Sequence, residues 1–148
     1  MSDPDSPAAG SFGADPLQAG MATRRAVLGD AHVERARAAT DPLDAPFQEL
    51  ITRGAWGTVW SRDTISRRER SMITIALLAA LGHDEELAMH CRATARTGAT
   101  RDDICEALLH VAVYAGVPAA NRAIKIARSV FAELEEDRNG SGGTSRDD

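Results

Sequence analysis

The segment from Ser66 to Gly82 carries both the start and the stop signals of a helix, and this punctuation constrains the fold more than any other feature. Ser66 and Glu69 have the spacing of a capping box, in which each side chain satisfies a free backbone amide at the helix start. An apolar run from Met72 to Leu81 follows, and Gly82 stands where a glycine commonly ends a helix. The pattern predicts a buried helix.

Similar punctuation recurs along the chain. Asp84 is predicted to cap a helix that runs to Gly98, and Thr100 to cap another that ends before Gly116. Three more helices are predicted over residues 31–39, 45–60 and 119–136. The helix over residues 45–60 is expected to be loosened around its two glycines, since glycine weakens helix interiors.

Composition agrees with helices. The 148 residues are 43% hydrophobic but only 4% aromatic, and alanine is abundant, which suits close packing of helices better than strands. No segment alternates apolar and polar residues at the period of a strand. We therefore predict an all-α, single-domain bundle of about six helices over residues 21–137. The low-complexity ends, residues 1–20 and 138–148, are predicted to be disordered.

Charge and cysteine content exclude several function classes. The formal net charge of -5 offers no basic surface for nucleic acid. No stretch fits a signal peptide or a membrane span, so a cytoplasmic location without membrane partners is expected. Cys91 and Cys105 form no C-x-x-C motif, which argues against a zinc knuckle or a dithiol centre, and both are predicted to pack in the core.

The densest group of ionisable residues in the helical region is His83-x-x-Glu86-x-x-x-His90. A metal site is disfavoured, because seven helical residues separate the two histidine backbones by roughly 10 Å. Glu86 and His90 are four residues apart on one helix face, within reach of a hydrogen bond, and could form a proton-transfer pair. A purely structural role, with Glu86 favouring the helix start, is equally compatible with the spacing.

Several segments together resemble the carboxymuconolactone decarboxylase family, within the alkylhydroperoxidase D-like superfamily. They are RRAVLGDAHV (24–33), RGAWGTVWSR (53–62), RSMITIALLAALG (70–82), ELAMH (86–90) and AVYAGVPAANRA (112–123). The superfamily's C-x-x-C-x-x-x-H motif falls here on His83, Glu86 and His90, and its upstream glutamate falls on Ser71. Dithiol peroxidase chemistry is thereby excluded, because both thiols are missing.

The resemblance implies an alkylhydroperoxidase D-like helical fold and decarboxylation of 4-carboxymuconolactone to β-ketoadipate enol-lactone in aromatic (protocatechuate) degradation. This substrate is its own electron sink, so no cofactor and no metal are expected. His90 is the predicted proton donor, and Glu86 is predicted to hold its tautomer or recycle the proton. Proteins that this chain resembles assemble into rings of six subunits. The resemblance therefore implies a homo-oligomer, specifically a homohexamer.

Substrate contacts are predicted from the same segments. Arg25 and Arg53 are the expected forks for the two carboxylates, against the alternative of ordinary surface arginines. Trp56 is assigned to the pocket and Trp60 shares its face, although core packing would explain both. The remaining predicted pocket neighbours are His83, His110 and Tyr114.

Two other functions remain open at this point. A related enzyme of the superfamily could use the same Glu86 and His90 pair on a different lactone or carbon acid. A non-catalytic helical oligomer that binds a small acid or a partner protein would also fit the alanine-rich helices. A substrate panel separates the first from the leading hypothesis, and binding without turnover would favour the second.

Overall fold

A computed structural model describes residues 15–142, and in this range the chain is built from helices. The elements in chain order are α1 (Pro16–Leu28), α2 (Asp30–Ala39), α3 (Ala45–Ile51), a π-helix (Thr52–Trp60), α4 (Arg67–Leu81), α5 (Asp84–Thr97), α6 (Arg101–Tyr114) and α7 (Val117–Gly140). The predicted all-α class is confirmed. None of the helices in the described range is long and apolar enough to cross a membrane.

Two boundary predictions were wrong. Helix α1 starts at Pro16, inside the stretch that was expected to be disordered, and Asp15 caps it by accepting a hydrogen bond from the amide of Leu17. Helix α7 continues to Gly140, past its predicted end at residue 136 and past the predicted end of the domain at residue 137. Tertiary packing explains the first error, because α1 rests on the π-helix; residues 1–14 and 143–148 lie outside the described range.

Helices α4 to α7 pack around a cluster of aliphatic and small residues, which we call the aliphatic core. Its members include Ile75 on α4, Leu87 and Cys91 on α5, Ile104 and Leu108 on α6, with alanines and Val130 on α7. Ile75, Leu87 and Ile104 are at most 1% exposed. Burying each such side chain contributes about 1.5–3 kcal/mol, so this cluster holds the bundle together.

Capping matches the predictions at two helices and differs at a third. The boxes of Ser66 with Glu69 and of Thr100 with Asp103 are both formed. Helix α5, however, is preceded by His83 at the cap position, and Asp84 is its first residue. Asp84 is free to accept a 2.7 Å hydrogen bond from Nε of Arg122 on α7, so a long-range ion pair replaces the predicted cap.

Helix α1 and the π-helix cross with their backbones in contact. A β-carbon at Gly20 would lie 2.0 Å from the carbonyl oxygen of Thr52, and one at Gly57 would lie 2.2 Å from that of Pro16. Only glycine permits so close an approach at both positions. The expected loosening around Gly57 is therefore a π-helical segment that serves as a packing surface for α1.

A second apolar cluster forms at this crossing, and we call it the tryptophan cluster. It consists of Val27 and Leu28 from α1, Trp56 and Trp60 from the π-helix, and Ala93 from α5. Helix α5 thus contributes one face to the aliphatic core and another to the tryptophan cluster.

Candidate active site

His90 lies on the face of α5 that packs against the tryptophan cluster. Its side chain is buried, with the ring centroid 6.2 Å from that of Trp56 and 5.8 Å from that of Trp60. Both pairs are stacked, with interplanar angles of 15° and 20°. The two indoles, four residues apart on one face of the π-helix, lie 5.2 Å from each other. The imidazole therefore sits in an aromatic, largely dry environment.

Burial lowers the pKa of His90 to about 4, against an ordinary value of 6.5. The nearby charge of Glu86 raises this pKa but does not outweigh the loss of hydration, and the charge of His32 lowers the pKa further. The Nδ1 atom is buried and has no hydrogen-bond partner among residues 15–142. At neutral pH the imidazole is consequently uncharged, with one ring nitrogen left unsatisfied by the protein.

Glu86 lies on the exposed side of α5. Within the described range its carboxylate accepts no hydrogen bond from a side chain, so the predicted hydrogen bond between Glu86 and His90 is not formed. The two residues interact through the electrostatic effect of the carboxylate on the imidazole. A shared helix face brings their backbones close, but the His90 ring turns inward to the indoles while the carboxylate faces solvent.

His32 on α2 was absent from the predicted site. It is partly buried, and its pKa is lowered by burial first and then by the charges of Arg35, Arg24 and Arg92. Its charge also acts on His90, which places the two histidines in one electrostatic neighbourhood. The sequence did offer one signal for including His32 in the site. It lies near the end of the RRAVLGDAHV segment, and of the four histidines it alone was given no role.

The two predicted carboxylate forks are both occupied by carboxylates of the chain itself. Arg25 pairs with Asp30 at 3.2 Å and with Glu34, and these hydrogen bonds raise the pKa of Arg25. Arg53 pairs with Glu49 at 3.0 Å and with Asp15 at 3.1 Å. Each guanidinium would have to exchange partners in order to bind a substrate.

The other predicted pocket residues are not brought to His90 within this chain. His83 is exposed at the cap of α5. His110 and Tyr114 stack on each other on the exposed side of α6, with ring centroids 6.1 Å apart. Only Trp56 of the predicted substrate-binding set touches the imidazole.

The thiols and the serine at the superfamily's glutamate position have structural surroundings. Cys91 is buried and its pKa is raised to about 12, so it is an unreactive thiol. Cys105 is exposed, and its predicted burial was wrong because it lies on the outer face of α6. Ser71 is buried with its hydroxyl 2.7 Å from that of Thr97. Across residues 15–142, no three His, Cys, Asp or Glu side chains gather closely enough to share a metal ion.

Comparison with known proteins gives a consistent family assignment. Residues 45–129 match the carboxymuconolactone decarboxylase family. The chain belongs to this family. It is 45% identical over 115 residues to the 4-carboxymuconolactone decarboxylase of Acinetobacter baylyi, which covers 78% of this chain and 86% of the relative. It is also 38% identical over 115 residues to the nitrosuccinic acid decarboxylase of Metarhizium robertsii, covering 78% of this chain and 80% of that relative.

A third family member, a 4-carboxymuconolactone decarboxylase of Pseudomonas putida, is 56% identical over 39 residues, or 26% of this chain and 81% of the relative. The family match begins at α3 and ends within α7, so it contains Trp56, Trp60 and His90. Helix α1, which completes the tryptophan cluster, precedes the matched range.

Proposed function

We propose that this family member is a carboxy-lyase that converts 4-carboxymuconolactone to β-ketoadipate enol-lactone without a cofactor. The observation that carries the proposal is the 45% identity to a 4-carboxymuconolactone decarboxylase along 86% of that relative's length. The buried, uncharged imidazole of His90 beside two indoles is the feature of the site best suited to the chemistry.

The substrate supplies its own electron sink. As the carboxylate leaves the γ carbon as CO2, its bonding electrons delocalise through the ring double bond onto the lactone carbonyl and form a furan-like oxyanion. A proton must then reach the carbon α to that carbonyl. The protein has to hold two carboxylates, exclude water and deliver this proton.

His90 is the proposed proton donor. An imidazole with a pKa near 4 is a poor donor at neutral pH because it holds no extra proton. A bound dianionic substrate would raise that pKa, because a nearby negative charge favours the imidazolium. Glu86 acts in the same direction and is the proposed partner that returns a proton from solvent. Trp56 and Trp60 would keep the reacting carbon dry.

The remaining substrate contacts require either partner exchange or a second subunit. Arg25, whose side chain is 27% exposed, and Arg53, at 43%, are proposed forks that would release their own carboxylates when substrate enters. His83, His110 and Tyr114 are proposed contacts from a neighbouring copy, since all three are exposed on this chain and the aromatic rings stacked on His90 are those of Trp56 and Trp60.

A homo-oligomer, with six copies as the resemblance implies, is proposed from the exposed apolar surface. Ile73, Leu77 and Leu81 follow one another at helical spacing on α4 and are 53%, 57% and 67% exposed. A stripe of this kind is typical of a surface that another subunit covers. Light scattering should give a native mass of about six chains, and Leu77→Glu should lower it; a monomer at micromolar concentration would contradict the proposal. A cytoplasmic location stays a prediction.

The decisive assay uses the purified full chain, with 4-carboxymuconolactone as substrate in D2O and with nitrosuccinate as the competing substrate. We expect CO2 release with the lactone and one deuterium at the carbon α to the carbonyl, in a single configuration. Turnover of nitrosuccinate but not of the lactone would show that the enzyme has the activity for which the Metarhizium robertsii relative is named. No turnover of either compound, with or without added metal ions, would overturn the proposed decarboxylase.

A further inference from the structure

A small cavity lies between α1, α3 and the C-terminal end of α2. The two indoles that flank His90 do not line it. Its volume is about 230 Å³, and its polar lining consists of Arg24, Arg37, Thr40, Gln48, Glu49 and Thr52. Arg24 and Thr52 are buried, whereas Arg37 and Glu49 are exposed, so the first two form the floor and the last two the rim. We call this space the Arg24 cavity.

Residues 15–142 satisfy the hydrogen-bonding groups of the Arg24 guanidinium only in part. The residue is only 6% exposed. One Nη donates to Oγ1 of Thr52 at 3.3 Å and the other to Oε1 of Gln48 at 3.1 Å. These bonds use two of the five N–H groups of a guanidinium. The Nε atom is buried without a partner in the described range.

No carboxylate within residues 15–142 forms an ion pair with Arg24. Its neighbour Arg25, by contrast, pairs with two carboxylates. A buried charge without a counter-ion is strongly unfavourable, because the lost hydration is not replaced. In agreement, burial lowers the pKa of Arg24, and no neighbouring group offsets that effect.

The two charged residues on the rim do not neutralise this cation. Glu49 faces the cavity, but its Oε1 accepts a 3.0 Å hydrogen bond from Nε of Arg53. Arg37 adds a second guanidinium and reaches Glu34 only at 3.7 Å. The cavity therefore has two cations on its walls and one carboxylate that is already bound elsewhere.

We propose that the Arg24 cavity is an anion subsite that holds one carboxylate or a similar small oxyanion. The unused N–H groups of Arg24, including Nε–H, would donate to its oxygens, as guanidiniums do to carboxylates. A volume of about 230 Å³ is below that of a typical pocket for a whole small molecule, so the space suits a single anionic group.

Two sources of that anion share the same chemistry. One is the carboxylate of the substrate that does not leave, and this source rests on the proposed function. It is supported by position, because Arg24 and Thr52 each precede by four residues a member of the tryptophan cluster, Leu28 and Trp56. Arg24 and Leu28 are about one α-helical turn apart, roughly 5.4 Å, a distance that a short carboxylate arm spans. The other source is a free inorganic oxyanion.

The subsite is tested first without substrate, by thermal unfolding of the full chain in an oxyanion-free buffer titrated with phosphate or acetate. We expect a saturable rise in Tm of at least about 4 °C at high occupancy. Arg24→Met should abolish the rise. Arg70→Met is the matched control and should retain the rise. Arg70 is also buried, and its Nε has no hydrogen-bond partner in the part of the chain that the structure describes, but it does not line the cavity.

A wild type without a saturable rise, or an equal rise in Arg24→Met, would overturn the subsite. If Arg24→Met fails to fold, crystals of the wild type soaked in selenate give a second test. An anomalous peak beside Nε of Arg24 supports the proposal, and its absence under saturating selenate refutes it.

Steady-state kinetics then identify the source. If the substrate's carboxylate occupies the subsite, phosphate competes with substrate and Arg24→Met raises KM at least about tenfold with a smaller effect on kcat. If a free oxyanion occupies it, the Tm effect remains while phosphate leaves KM unchanged. A chain that turns over no substrate would still show the Tm rise, so failure of the decarboxylase proposal is distinguishable from failure of the subsite.

Discussion

The aliphatic core and the tryptophan cluster differ in how completely they satisfy their residues. The aliphatic core is made of alanine and branched side chains that need no polar partner. At the tryptophan cluster and its borders lie His90 and Arg24, each with a buried nitrogen that the described protein leaves unpaired. The third residue with such a nitrogen is Arg70 on α4. One of its Nη atoms donates a 3.0 Å hydrogen bond to the carbonyl of Arg62, which follows the π-helix in the chain.

The difference shows that energetically unfavourable buried nitrogens lie at the tryptophan cluster and its borders rather than in the aliphatic core. Buried polar atoms without partners are rare in folded proteins and concentrate at sites of function. Helix α5 spans both environments, since Leu87 and Cys91 face the aliphatic core while His90 and Ala93 face the indoles. One helix therefore links a region that supplies stability to a region that supplies chemistry, and substitutions on its two faces should have separable effects.

The largest effect is expected at the imidazole. His90→Gln keeps a polar side chain of similar size but removes the proton donor, and should lower kcat by about 10²–10⁴-fold with Tm little changed. Cys91→Ala, at the next position but in the aliphatic core, is the matched control and should retain kcat per folded molecule. Normal turnover by His90→Gln would remove it from the mechanism.

A pair of apolar substitutions tests whether the two clusters are separable. Leu87→Ala should lower the free energy of unfolding by about 2–5 kcal/mol through loss of burial and formation of a cavity, while the folded fraction keeps its kcat. Trp60→Leu should reduce both quantities, since it opens the surroundings of His90 to water. Urea titration gives the free energy of unfolding of both variants, and steady-state assays give their kcat. Equal losses of kcat in the two variants would contradict the view that the two clusters have separable effects.

Stability should fall in acid because of His90. Its pKa is about 4 in the folded chain and near 6.5 when unfolded, so the unfolded state binds the proton more readily. The stabilisation is complete above pH 6.5 and is lost as the pH falls towards 4, by about 3 kcal/mol in total. The pKa of His32 is lowered too and acts in the same direction.

In His90→Gln the decline between pH 6.5 and 4 should shrink to the part contributed by His32 and by Glu34 and Glu69, two carboxyls whose pKa is lowered in the folded chain. Asp103 affects a lower window, because the guanidinium of Arg68 holds the pKa of that carboxyl below its ordinary value of 3.8. Chemical denaturation from neutral pH to below pH 3.8 measures both effects, and an unchanged slope between pH 6.5 and 4 in His90→Gln would contradict the assignment.

The smallest effect concerns the contact of α1 with the π-helix. Gly57→Ala places a methyl group against the carbonyl oxygen of Pro16 and should destabilise the chain by about 1–3 kcal/mol. Gly54→Ala is the control, since nothing lies within 4 Å of its β-carbon position, and should be neutral or stabilising by up to about 1 kcal/mol. Unfolding free energies of equal size would show that the backbone contact does not matter.

Local signals accounted for most of the helices. Capping boxes at Ser66 and Thr100 and the glycines at residues 82 and 98 act within a few residues, and the structure has them as predicted. The start of α1 was missed although Asp15 and Pro16 form a local start signal, because little apolar periodicity follows them. It is helical because it packs on a distant segment, a contact with no local signature in the sequence.

By itself the sequence determined the all-α class, the helix limits from Ser66 to Gly116 except the cap of α5, and the segments that carry the family resemblance. The tertiary structure alone decided that His90 turns away from Glu86 towards two indoles from another helix. It also decided that Arg25 is paired while Arg24 is buried without a counter-ion among residues 15–142. The reason is physical: capping and periodicity depend on neighbours in sequence, whereas hydration and charge pairing depend on neighbours in space.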